Sequence, residues 1–168
     1  MPKQFLDFLG TGRTLLQTTF ERYSSLFPKE NIFVATNQQY REIVKEQIDI
    51  NDKNILCEPA RKNTASCIAY ATYHIGNLSP ESVLVFAPCD HLILRKEAFC
   101  SAVEKAISFA ETHDALLTIG IKPTRPETGY GYIQISDHIE DGVNKVKTFT
   151  EKPNRELAEI FVESGEFF

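Results

Sequence analysis

At 168 residues the chain has the length of one ordinary domain and enough material for a hydrophobic core. Its formal net charge of −5 argues against a nucleic-acid partner, which needs a basic patch, but leaves room for a phosphate ligand held by local charge. No apolar run approaches the roughly 18 residues of a membrane span, and the first residues carry no signal-peptide pattern. Cys57, Cys67, Cys89 and Cys100 form no CxxC pair and sit among apolar or small residues, so they are expected as buried free thiols in a reducing cytoplasm rather than as a zinc site.

Helical and extended patterns alternate along the chain. "TLLQTTFERYSSLF" places Leu15, Thr19, Tyr23 and Phe27 at helical spacing, with Pro28 as a stop. "NIFVATN" reads as a buried strand, "QQYREIVKEQI" as a helix through Tyr40, Ile43, Val44 and Ile48, and "NILCEP" as a second strand ended by Pro59. "NTASCIAYATYHIG" predicts a helix capped by Asn63 or Thr64 and ended by Gly76. "SVLVFAP" is the clearest core strand, a continuous apolar run suited to a parallel sheet covered on both faces. "KEAFCSAVEKAISFAETH" aligns Phe99, Val103, Ala106, Ile107 and Ala110 on one helical stripe, and "ALLTIGI" reads as another buried strand. "GYGYIQIS" and "NKVKTFTEKP" are strands joined by the turn "EDGVN", and "NRELAEIFVESG" closes as a helix with Leu157, Ile160 and Phe161 inward. Strands alternating with helices imply right-handed βαβ units and a mostly parallel sheet.

In open α/β sheets ligands bind beyond the carboxyl ends of the strands, which selects four loops: "CEPARKNTA", "APCDH", "IKPTRPETGYG" and "TEKPN". Asp90 follows the best core strand, where it is either a turn residue or a carboxylate for a divalent cation at a ligand's phosphates. Glu58 and Asn63 flank a loop that feeds a helix N-terminus. Glu58 either accepts from an N1–H/N2–H base edge such as guanine offers or is a solvated charge. Gly129 and Gly131 let the backbone bend or approach a ligand closely. Glu151 and Lys152, at a strand end, either fan out over a ligand's hydroxyls and phosphate or form a solvated pair. GxSxG, HExxH, Walker and GxGxxG patterns are absent, and the four histidines suggest no nucleophilic triad.

The order of "PKQFL", "EPARKNTA", "APCDH", "TIGIKPTRPETGYGYI" and "FTEKP" resembles mannose-1-phosphate guanylyltransferases (GDP-mannose pyrophosphorylases) over nearly the whole chain. The resemblance implies an α/β fold: a mostly parallel, Rossmann-like nucleotide-diphospho-sugar transferase sheet with helices on both faces, lacking the family's first strand, in a single partial domain over residues 1–168. It implies cytoplasmic transfer of a guanylyl group from GTP to mannose-1-phosphate, giving GDP-mannose and pyrophosphate, with Mg²⁺ as cofactor. Asp90 would bind Mg²⁺, and Lys3 would face the nucleotide phosphates. Glu58, Arg61 and Asn63 would surround the guanine nucleotide; Gly131 and Glu151 would hold the mannose, and Lys152 its phosphate. The family's GGxGxR loop before "PKQ" and its WNSG-type segment and second metal-binding Asp after "ESGEFF" have no counterpart here. The reading is therefore of a fragment, itself inactive, with Phe167 and Phe168 short of a partner strand and open strand edges that favour self-association into a homo-oligomer. A guanylyltransferase for another sugar-1-phosphate and a non-catalytic nucleotide-sugar-binding module are the alternatives.

Overall fold

In the computed structural model, which describes residues 1–60, 62–140 and 142–168, the chain divides into two compact units, Met1–Cys100 and Ser101–Phe168. In the first unit, helix α1 (Leu15–Ser24) starts on Thr14 with a capping box. The Thr14 hydroxyl accepts from the Gln17 N–H at 3.2 Å, and the Gln17 side-chain oxygen accepts from the Thr14 N–H at 2.9 Å. Strand β1 (Val34–Asn37), helix α2 (Arg41–Gln47) and strand β2 (Ile55–Glu58) form one βαβ unit. β1 and β2 pair in parallel from Val34–Ile55 to Asn37–Glu58. The core of this unit is a cluster of Phe5, Leu16, Phe20, Val44, Ile48 and Ile55, with Val34 of β1 packed against it and Val44 fully enclosed at 0% exposure. The Asn54 amide, also buried, donates to the Glu30 and Ile32 carbonyls at 2.8 Å each and so ties the chain before β1 to the turn before β2.

Helix α3 (Asn63–Leu78) follows β2, and helix α4 (Lys96–Thr112) contains the boundary between the units. On α4, Val103 and Phe109 are buried and Phe99, Ala106, Ile107 and Ala110 are partly covered, close to the expected stripe. In the second unit, strands β3 (Tyr132–Glu140) and β4 (Val143–Thr150) form an antiparallel pair, and helix α5 (Arg155–Ser164) starts where the Asn154 side chain accepts from the Leu157 N–H at 2.9 Å. Tyr132, Ala158, Phe161 and Phe167 make this unit's core, with Val162 packed against it. Among the described residues no helix is long and apolar enough to cross a membrane.

Several expectations change. "SVLVFAP" and "ALLTIGI" are not strands: among the described residues neither joins a ladder, and Val85, Phe86, Leu116 and Ile121 are exposed. An apolar run becomes a strand only when a neighbour satisfies its N–H and C=O groups. The described ladders are therefore one parallel pair and one antiparallel pair, not one continuous, mostly parallel sheet. α3 runs through Gly76 to Leu78, and neither Asn63 nor Thr64 caps it; Lys62 takes that position without a side-chain bond. α5 turns Ala158, Phe161 and Val162 inward, leaving Leu157 and Ile160 exposed, because Tyr132 and Phe167 lie against that face. Phe167 and Phe168 do find partners. The Phe167 ring stacks on Phe161 at 3.8 Å, and Phe168 exchanges backbone hydrogen bonds with Ile133 at 2.8 and 2.9 Å.

The face of α5 is testable by truncation. Phe161→Ala should cost about 3–5 kcal/mol in chemical denaturation, whereas Ile160→Ala should stay within about 0.5 kcal/mol. Equal costs would contradict the observed rotation of the helix.

Candidate active site

Lys3–Phe5 forms a single 3-10 turn closed by the Phe5 N–H on the Pro2 carbonyl at 3.2 Å. Phe5 anchors it. Its side chain is in the core, its ring lies 5.4 Å from Tyr40, and its carbonyl accepts from the Gln47 amide at 3.0 Å. With Phe5 buried, Lys3 is carried at the surface. Cys89 packs against the same cluster, and its carbonyl accepts from the Thr19 hydroxyl at 3.4 Å, which seats the loop bearing Asp90. The two anchors bring Lys3 Nζ to 2.8 Å from Asp90 Oδ2. The Lys3 hydrogen bond, opposed by partial desolvation and aided by the charges of Lys3 and His91, holds the Asp90 carboxyl below the usual carboxylate range. Burial, then the Asp90 charge, pushes the Cys89 thiol up, making it a packing group rather than a nucleophile. The four thiols are unpaired and each is partly rather than fully buried.

Glu58 ends β2, half-buried, with Asn37 as its ladder partner. Cys67, in the second turn of α3, lies against it. Burial and the Glu58 charge push that thiol up as well. Asn63 is exposed with φ 65°, a left-handed conformation that Asn tolerates better than most residues. Arg61 lies outside the described residues.

In the second unit, a Cβ built on Gly131 would stand 2.9 Å from Glu151 Oε2, so glycine is what lets the carboxylate rest against this strand. Lys152 Nζ meets Glu151 Oε1 at 2.8 Å. Strand alternation would send these neighbours to opposite faces. Lys152 instead has φ 43°, outside the strand region, and the two charges fold to one side. The hydrogen bond and charge of Glu151 raise the Lys152 ammonium.

Sequence reasoning passed over Glu127. Its backbone N–H donates to the Tyr132 hydroxyl at 2.8 Å, and its Oε1 accepts from the Thr128 and Gly129 N–H groups at 3.1 and 3.3 Å. Its other oxygen takes Arg125 at 3.3 Å. Glu127 thus shapes the loop that leads into Gly131; the only sequence signal was a Glu two residues before a Gly. Among the described residues no three His, Cys, Asp or Glu side chains converge as a metal cage. The lone ionised carboxylate of Asp90 suits a hard cation that keeps waters and ligand phosphates around it, as Mg²⁺ does, and does not suit zinc.

The chain belongs to the nucleotidyl transferase family, whose model matches residues 1–168. It is 43% identical over 176 residues to mannose-1-phosphate guanylyltransferase of Escherichia coli K12, covering 99% of this chain and 36% of that protein. It is 38% identical over 170 residues to the xanthan biosynthesis protein XanB of Xanthomonas campestris, covering 99% and 35%. The chain therefore spans a little over a third of the length of these curated relatives. A crystal structure described as mannose-1-phosphate geranyltransferase from Thermus thermophilus superposes with a TM-score of 0.87 at 30% identity, over 99% of this chain and 48% of that one. One described as mannose-6-phosphate isomerase from Helicobacter pylori gives 0.79 at 31%, over 99% and 62%. The fold is that of the α/β nucleotide-diphospho-sugar transferases.

The Gly129 N–H, then Arg125 and the Thr128 N–H, hold the Glu127 carboxyl below its ordinary value against desolvation. A depressed carboxylate contributes order above its unfolded pKa of about 4.3 and loses it as pH falls through the lower folded value. The Thr128 and Gly129 amide resonances should therefore titrate together with a midpoint below the ordinary glutamate range, and Glu127→Gln should abolish that transition.

Proposed function

We propose that the protein transfers a guanylyl group from GTP to mannose-1-phosphate, forming GDP-mannose and pyrophosphate in the cytoplasm. A phosphate oxygen of the sugar-1-phosphate attacks the α-phosphorus of GTP, a new O–P bond forms, and the bond to pyrophosphate breaks in line. The observation that carries this reading is the Lys3–Asp90 pair at 2.8 Å, an ammonium beside an ionised carboxylate. Asp90 would hold Mg²⁺, which when bound neutralises phosphate charge. Lys3 would bind the nucleotide phosphates. Glu58 would accept from the guanine N1–H and N2–H, with Asn63 and Arg61 around the same nucleotide. Gly131 leaves space for Glu151, whose carboxylate would accept from mannose hydroxyls, and Lys152 would take the sugar's phosphate. The names of the relatives support the choice of guanylyl and mannose over other pairs.

Pyrophosphate release by the protein as its gene encodes it is the test. Turnover should prefer GTP over ATP, CTP and UTP, and equal rates with all four would sink the guanylyl assignment. Asp90→Ala should lower kcat by about 10²-fold or more. Gly131→Ala should leave folding intact, since it displaces only the flexible end of Glu151, yet raise the KM for mannose-1-phosphate about tenfold through the lost charged hydrogen bond.

A further inference from the structure

Arg22 is the most unusual cation in the first unit. It is 7% exposed, and among the described residues it meets no carboxylate. Its Nη2 donates to the Thr19 hydroxyl at 2.9 Å, and its guanidinium lies 5.4 Å from the Phe99 ring and 6.0 Å from that of Tyr23. Its buried Nε has no hydrogen-bond partner. Aromatic faces return part of what a desolvated guanidinium loses, but an orphaned N–H in a low-dielectric setting is costly. Burial accordingly lowers its affinity for the proton. Arginine stays charged even so, and an anion is the natural complement.

A cavity of about 210 Å³ provides the place for one. Arg22, Thr18, His91 and Lys96 line it together with Glu21 and apolar side chains. Glu21 does not neutralise Arg22, because its carboxylate is paired with Arg13. Lys96 is exposed and is the first residue of α4, so the cavity's rim also carries the positive dipole end of a long helix. The volume is below the roughly 300–1,000 Å³ of pockets for drug-sized ligands, which favours a small ion over a nucleotide. Lys3 and Asp90 do not line it.

We propose that this cavity is a second anion site, separate from the candidate active site, that takes a phosphate-type oxyanion between Arg22 and Lys96. The planar guanidinium fork suits a tetrahedral oxyanion, and Lys96 adds a point charge from the solvent side. The proposal stands independently of the guanylyl assignment.

Calorimetric titration with inorganic phosphate, at constant ionic strength against a chloride control, tests it. Lys3→Ala removes the competing phosphate contact of the candidate active site, and binding should persist in that variant. On the same background Lys96→Ala should weaken binding about threefold, and Arg22→Lys about tenfold. Lys96 is a surface residue, so its variant remains informative if Arg22→Lys folds poorly by circular dichroism. A repeat with a phosphate monoester separates the sources: tighter binding of the ester points to a phosphorylated metabolite, and equal or weaker binding points to free phosphate, both within the proposal. Loss of all phosphate binding in Lys3→Ala would overturn it, as would binding unchanged by Lys96→Ala.

Discussion

The seating of Phe5 in the core of the first unit is the constraint on which the candidate active site depends. Burying a phenylalanine side chain contributes about 2–3 kcal/mol. The Lys3–Asp90 ion pair, with its lysine well exposed, contributes at most about 1 kcal/mol. Packing therefore holds the two charges in place, and the charges do not hold the packing. The same cluster also receives Cys89, so one apolar surface positions both the turn that carries Lys3 and the loop that carries Asp90.

The second unit reaches a similar end by backbone geometry. Gly131 makes space for the Glu151 carboxylate, and the left-handed Lys152 brings its ammonium to the same side. Glu127 organises the preceding loop through backbone N–H groups. In both units the charged groups are exposed or partly exposed, while the residues that aim them are packed into the core or conformationally unusual. Arg22 reverses that pattern, a buried charge at the wall of a cavity, which is why it stands apart from the rest of the surface.

Elements with strong local signals were legible in the sequence. The apolar spacing from Leu15 marks α1, the run "NRELAEIFVESG" marks α5, and the stripe on α4 follows the 3.6-residue period. The ends of β2 and β4, which carry Glu58 and Glu151, were also legible, whereas the runs before Asp90 and before the Gly131 loop join no ladder among the described residues. The side-chain contacts within those loops were not legible. Lys3 is far from Asp90 in sequence, and only the shared apolar cluster brings them together.

What the sequence by itself determined is what nearest neighbours decide: helical periodicity, the hairpin after Gly131, and the chemical types available at each loop. Tertiary structure alone decided whether "SVLVFAP" and "ALLTIGI" became strands, because a ladder needs a second chain segment to satisfy its backbone. It also decided which face of α5 turned inward, since Ala158 or Leu157 could each lead an apolar stripe until Tyr132 and Phe167 chose between them. Pairing and packing are non-local, and local propensity carries no information about which distant segment will arrive.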